Sequence, residues 1–186
     1  MVSKNGCFIV FEGIDGSGKS TQISLLKEHI EEHSINCMTT MEPSNGPIGT
    51  LLRQFLSGRI KGEETTLTAL FAADRLDHLN NPVNGICKLL EDGIAVISDR
   101  YVFSNYAYQS VSVPLEWIMK CNEMANETVR PDCHIFIDVA PETAMDRVSK
   151  GRHQTDIYET LDRLTDVRER YLDLIHRMED VENIII

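Results

Sequence analysis

The stretch FEGIDGSGKST, residues 11–21, constrains the fold of this chain more than any other. An apolar run from Phe8 to Phe11 stops at Gly13, and Gly13, four further residues, Gly18, Lys19 and Ser20 follow the spacing of a phosphate-binding loop between a strand and a helix. Each position has a physical task. Gly13, Gly16 and Gly18 let the backbone turn tightly and bring amide N–H groups against phosphate oxygens. A helix opening near Lys19 directs its positive end at the same point. Lys19 is placed to reach the β- and γ-phosphates, and Ser20 to ligate Mg²⁺. Gly13, Ile14, Asp15, Gly16, Ser17, Gly18, Lys19, Ser20 and Thr21 therefore form the expected ATP site. The loop alone leaves open whether water, a protein side chain or a second small molecule receives the phosphoryl group.

Beyond the loop, short apolar runs alternate with longer amphipathic ones. Strands are expected at 7–11, 36–41, 94–98, 133–139 and 182–186, and helices at 19–33, 47–57, 63–79, 82–92, 115–127, 141–150 and 156–178. This alternation predicts a three-layer α/β/α P-loop NTPase fold, a five-stranded parallel sheet flanked by helices. A length of 186 residues suits one domain, 1–186, with a sizeable core. The sequence shows no repeat or linker.

Composition narrows the partners. A formal net charge of -11 makes the chain a poor general nucleic-acid binder, because backbone binding needs a basic surface. No apolar run approaches the roughly 20 residues that span a bilayer, and MVSKNGC lacks the apolar stretch of a signal peptide. Cys7, Cys37, Cys87, Cys121 and Cys133 are odd in number and form no CxxC pair. They read as reduced thiols of a cytoplasmic protein, with no catalytic or metal-binding role.

In open α/β sheets, ligands sit at the carboxyl ends of the strands. The first strand leads into the phosphate loop, the second ends near Glu42 and Pro43, and the third ends at Asp99 and Arg100. Asp99 fits a second carboxylate on the Mg²⁺ side; the competing reading is a helix cap or a partner for Arg100.

Four further segments, MEPSNGPIGTLLRQFL (41–56), LFAADRLDH (70–78), DRYVFSNYAYQS (99–110) and RPDCHIFIDVAPETAMDR (130–147), lie in order along the chain. Together with the phosphate loop they resemble the thymidylate kinase family of nucleoside monophosphate kinases, which phosphorylates dTMP. The resemblance implies roles by position. Phe71 matches the aromatic residue that stacks on thymine, and Arg75 the arginine at the base edge. Arg53 and Arg100 match the arginines that hold the acceptor phosphate. Asp15 matches an acidic residue near the sugar 3′-hydroxyl. Ser104, Asn105 and Tyr108 match the part of the pocket closing over base and deoxyribose, and Glu42 and Pro43 the loop that shapes the same site. The resemblance further implies a homodimer.

The chemistry stands beside the resemblance. Transfer between two anions needs cations to offset repulsion and fix an in-line geometry. Arginine grips a phosphate in two places, which lysine cannot do. Phe71 and Arg75 are four apart, so a helix places both on one face. Taken singly, Phe71 reads as core and Arg53 as a solvated helix residue. Crowding by Tyr101 or Tyr108 would select a deoxyribose. The expected catalytic set is Lys19, Arg100, Asp15 and Arg152, with Ser20 and Asp99 for Mg²⁺.

Residues 147–159 match the family's lid. The loop positions Ile14 to Ser17 carry no arginine, so a lid arginine is expected to stabilise the transferring group; Arg147, Lys150 and Arg152 are the candidates, with Arg152 preferred. Gly151 would allow a hinge. Two features depart from the family: Ile157 stands where it usually has arginine, and its final helix after the last strand is expected to be missing. His29 and His33 read as a solvated face, Trp117 and Met119 as helix packing, and His134 as structural. Two other classes stay open: a kinase for another deoxynucleoside or nucleoside monophosphate, and a non-catalytic nucleotide-binding homologue.

Overall fold

The computed structural model describes residues 5–151, 158 and 160–186. Five parallel strands form one sheet in the order β2-β3-β1-β4-β5: β1 (Phe8–Glu12), β2 (Cys37–Met41), β3 (Ala95–Asp99), β4 (Cys133–Phe136) and β5 (Ile184–Ile185). Helices connect them: α1 (Lys19–Glu32), α2 (Pro47–Leu56), α3 (Glu64–Asn80), α4 (Ile86–Glu91), α5 (Val102–Gln109), α6 (Leu115–Thr128), α7 (Pro141–Gly151) and α8 (Leu161–Met178). The expected α/β class and the five-stranded parallel sheet are both present. No helix among the described residues is long and apolar enough to cross a membrane.

The register fixes where chemistry can occur. Asp99 pairs with Phe11 on one side and with Met41 on the other, so three strands end in one row. The phosphate loop, the Asp99–Arg100 step and the Glu42–Pro43 turn leave the sheet side by side just beyond that row. Strand alternation divides the core in two. Phe8, Val10 and Val96 face the larger cluster, shared with Tyr101, Phe103, Tyr106 and Tyr171. Phe11 and Ile97 face the smaller one, closed by Ile23 and, at its edge, Leu26 and Ile30 of α1.

Several boundaries differ from the sequence expectation for identifiable reasons. The helix expected from residue 82 starts at Ile86, because the Asn81 side chain accepts hydrogen bonds from the Val83 and Asn84 amides and holds a turn there. β4 ends at Phe136 rather than 139; the Ile137 amide still bonds Glu12 O, but Asp138 then turns to a bidentate pair with Arg168 at 2.6 and 2.8 Å. β5 covers only two residues of the expected five. α8 opens at Leu161 with Thr160 as its cap, accepting from the Arg163 amide at 3.3 Å; residues 156, 157 and 159 of the expected helix lie outside the described residues. α5 was not expected as a helix at all. All eight of its residues are buried; its polar face, Ser104, Asn105, Tyr108 and Gln109, turns to a cleft rather than to open solvent, and eight residues are too few for a 3.6-residue period to stand out over the usual window.

Ile97 lies in the middle of the sheet with no exposure. Ile97→Ala removes the side chain on which α1 packs and is expected to cost about 2–5 kcal/mol. Urea unfolding should show a lower midpoint with an unchanged slope, since the surface exposed on unfolding stays nearly the same.

Candidate active site

The phosphate loop is built as its glycines demand. Gly13, Gly16 and Gly18 have φ of 143°, 79° and 106°, values that residues with a Cβ rarely adopt. At Gly16 space is also short: a Cβ there would lie 2.3 Å from Ala144 O, so α7 packs directly on the loop. Lys19 Nζ donates to Gly13 O and Ile14 O, both at 3.1 Å, and lies 3.9 Å from Asp99 Oδ1. Burial, helped by the Arg100 charge, pushes the Lys19 pKa down to about 8 against the pull of Asp99 and Asp15. Asp99 Oδ1 is buried and has no hydrogen-bond partner.

Arg100 sits at the centre of the site. Its φ is 76°, a left-handed conformation that costs a non-glycine residue on the order of 1–3 kcal/mol. Hydrogen bonds on both sides hold it there. The Arg100 amide donates to Phe11 O at 2.8 Å, Ser98 Oγ donates to Arg100 O at 2.8 Å, and the Tyr101 amide donates to Glu12 Oε1 at 2.9 Å. The guanidinium Nη2 donates to Asp15 Oδ1 at 2.8 Å and to the Tyr108 hydroxyl at 3.0 Å; Nη1 donates to Gly13 O and Ser104 Oγ, both at 3.1 Å. The Tyr108 hydroxyl in turn donates to Asp15 Oδ2 at 2.8 Å. Burial works against the Asp15 charge, but Arg100 and Lys19 outweigh it and hold its carboxyl well below the usual carboxylate range. Burial opposes the Arg100 charge too, yet Asp15 keeps the guanidinium firmly protonated.

These groups open onto a cleft of about 880 Å³. Of the residues singled out in the sequence, Asp15, Gly16, Gly18, Lys19, Ser20, Thr21, Glu42, Pro43, Arg53, Phe71, Asp99, Arg100, Ser104, Asn105 and Tyr108 line it. Arg53 is held against the cleft wall by Pro43 O and Ser44 O, at 3.0 and 2.7 Å, and so follows the Glu42–Pro43 turn. Phe71 is half-buried, with its inner side on the core and its outer side on the cleft.

Gly13, Ile14, Ser17 and Arg75 do not line it. Gly13 and Ile14 contribute their carbonyls to Lys19 from behind, and Ile14 belongs to the core. Ser17 is buried under the loop with its hydroxyl unpaired. Arg75, only 1% exposed, is paired with Glu42 at 2.6 Å, donates to Tyr101 O at 3.1 Å and bonds Asn122 Oδ1. It therefore stands one layer behind Glu42, and behind Asn105, which Asn122 binds at 2.8 Å. Tyr101 also faces inward, its hydroxyl donating to Val129 O, so only Tyr108 of the two expected tyrosines crowds the cleft.

Of the lid candidates, Arg147 reaches the cleft and donates to Gly16 O and Ser17 O, both at 3.2 Å, while Lys150 pairs with Asp146. Arg152 and Ile157 lie outside the described residues. Gln109 and Tyr158 were missed by the sequence reading although both line the cleft. Gln109 directly follows the motif residue Tyr108, which was the available signal. Tyr158 receives a bond from Gln109 Nε2 at 3.2 Å and donates to Glu64 Oε2 at 2.8 Å, closing the cleft between α3 and α5.

The arrangement places one anion-binding loop, three arginines, an aromatic face and a hydroxyl–carboxylate pair on a single concave surface. Comparisons with known proteins agree with it. The family model described as Thymidylate kinase matches residues 11–186. The chain is 39% identical over 176 residues to the thymidylate kinase of Symbiobacterium thermophilum, covering 90% of this chain and 78% of that protein. It is 36% identical over 195 residues to the probable thymidylate kinase of Thermococcus kodakarensis, covering 95% and 92%, and 40% identical over 171 residues to that of Methanocaldococcus jannaschii, covering 90% and 80%.

The lowered Lys19 pKa sets a measurable pH dependence. Above pH 8 the ligand-free ammonium loses its proton, and a bound triphosphate restores it by adding negative charge. Calorimetry of ATP binding near pH 9, in buffers of different ionisation enthalpy, should show uptake of up to about one proton, and almost none at pH 7. Equal uptake at both values would contradict this placement of Lys19.

Proposed function

The chain belongs to the thymidylate kinase family, and we propose that it transfers the γ-phosphoryl group of ATP to dTMP, giving ADP and dTDP. The observation that carries this reading is the continuity of the cleft: Lys19, Arg53, Phe71 and Asn105 share one surface with the paired Arg100 and Asp15.

In this reading the donor phosphates lie in the loop on Lys19 and the first turn of α1. Arg147, already seated on loop carbonyls, lies at the donor edge, with Arg152 a second candidate from the same segment. Arg53 and Arg100 hold the acceptor phosphate. Phe71 stacks on the thymine, and such a contact is worth on the order of 1–3 kcal/mol. Asn105, which donates to Gln109, faces the base edge, and Asn122 and Arg75 act behind it. Asp15 and Tyr108 border the sugar, where the Tyr108 ring leaves little room for a 2′-hydroxyl. The acceptor's own phosphate oxygen attacks phosphorus in line, the bond to the ADP oxygen breaks, and no general base or covalent enzyme intermediate is needed. The protein supplies alignment, fixed positive charge and exclusion of water.

Ser20 Oγ and the unpaired, buried Asp99 Oδ1 are hard oxygen donors on the same wall, which suits Mg²⁺. Bound there, Mg²⁺ would offset charge on the β- and γ-phosphates. The reading also takes residues 1–186 as one kinase domain with a lid at 147–159, acting in the cytoplasm. Cys7, Cys37, Cys87, Cys121 and Cys133 form no disulfide with one another, which suits a reducing compartment. Trp117 and Met124, seven apart and exposed on α6, support a homodimer through that face.

An acceptor panel with ATP and Mg²⁺ tests the reading. dTMP should be phosphorylated and thymidine and dAMP should not; turnover of those two with dTMP and dUMP ignored would overturn it. Arg100→Ala should lower kcat/KM for dTMP by about 100-fold or more while ATP affinity changes by less than about threefold.

A further inference from the structure

Glu12 has no part in the mechanism above, yet it is the most enclosed carboxyl group of the site. It is the last residue of β1, it has no exposure, and it does not line the cleft. Burial pushes its pKa up, and three donors resist that push. The Tyr101 amide donates to Oε1 at 2.9 Å. Ser104 Oγ donates to Oε2 at 2.5 Å, and the Tyr171 hydroxyl lies 2.9 Å from the same oxygen. Oε1 thus accepts from the Tyr101 amide and Oε2 from the Ser104 hydroxyl, with the Tyr171 hydroxyl beside it.

The same two hydroxyls accept from Arg100 Nη1, Ser104 Oγ at 3.1 Å and Tyr171 at 3.4 Å. They lie 2.7 Å apart. A hydroxyl has one proton, and where that proton points decides which side receives its lone pairs. With the Ser104 proton drawn to Glu12 and the Tyr171 proton held between Glu12 and Ser104, both hydroxyls turn lone pairs toward the guanidinium. Glu12 Oε1 meanwhile holds the amide just after Arg100, the residue with φ of 76°. The carboxylate therefore acts on Arg100 twice: through its backbone turn and through two bridging hydroxyls.

We propose that Glu12 is a positioning residue for the acceptor phosphate: through the Ser104 and Tyr171 hydroxyls and the Tyr101 amide it fixes the direction of the Arg100 guanidinium. This rests on the assignment of Arg100 to the acceptor phosphate. It also gives α8 a part in the site, since Tyr171 comes from the middle of that helix.

Glu12→Gln keeps the volume and replaces one acceptor oxygen with a donor. The amide nitrogen forces a hydroxyl to reverse, or confronts the Tyr101 amide, and Arg100 loses an acceptor in the first case and its backbone anchor in the second. The expected result is a fall of about 10- to 100-fold in kcat/KM for dTMP with ATP affinity within about twofold of the unmodified chain. That split is informative because Glu12 adjoins Gly13: a general disturbance would reach the phosphate loop first and weaken ATP binding. Tyr171→Phe deletes one bridging hydroxyl, which comes from α8 and makes no hydrogen bond to the loop, and should lower the same constant about tenfold, again sparing ATP. It decides the matter if Glu12→Gln does not fold. Unchanged kcat/KM for dTMP in the folded variants, or equal losses for dTMP and ATP, would overturn the proposal. The unmodified chain is assayed alongside. Its failure to use dTMP would sink the functional reading, and the variant ratios would then be taken on whichever acceptor it uses, or on dTMP affinity by calorimetry if it uses none.

Discussion

A guanidinium placed largely out of water must have its donors answered by fixed acceptors, and at Arg100 those acceptors come from three separated parts of the chain. Gly13 O and Asp15 belong to the phosphate loop, Ser104 and Tyr108 to α5, and Tyr171 to α8. The Tyr108 ring also lies beneath the guanidinium carbon at 4.7 Å. One cation thereby locks the loop that would hold a donor to the helix that would hold an acceptor. The strained backbone at Arg100 persists because both of its flanking peptide groups are committed to the sheet and to Glu12.

Charge is distributed accordingly. The chain as a whole carries a formal charge of -11, but the cleft collects Lys19, Arg53, Arg100 and Arg147. Among its carboxylates, Asp15 is tied to Arg100 and Glu42 to Arg75. Asp99 keeps an unpaired oxygen beside Lys19. A small polyanion therefore meets locally positive, pre-oriented groups on a protein whose remaining surface repels extended ones.

The sequence was most legible where function and local geometry coincide. The phosphate loop had to be a strand, a glycine turn and a helix, and β1, the loop and α1 are that. β3 ends at Asp99, as its apolar run implied. α5 was illegible because it is only eight residues long and its polar face is made of the motif residues Ser104, Asn105, Tyr108 and Gln109, turned to the cleft. Arg75 was read as a base contact because it matches the family's base-edge arginine; neither that match nor its spacing from Phe71 shows that Glu42, 33 residues earlier, stands in front of it. Glu12 and Tyr171 act through partners distant in sequence, and nothing in their own neighbourhoods announces those partners. Position-by-position matching recovered most of the cleft wall and, from the layer behind it, Arg75 but neither Glu12 nor Tyr171.

The central claim is that two nucleotides are held end to end in one cleft, joined across Arg100. Its most direct test is the affinity of adenosine and thymidine linked 5′ to 5′ through five phosphates, measured by calorimetry beside ATP and dTMP. The account predicts one molecule bound per chain, at least about tenfold tighter than ATP alone, and excluding both single nucleotides. Binding no tighter than ATP, with dTMP still able to bind beside it, would contradict it.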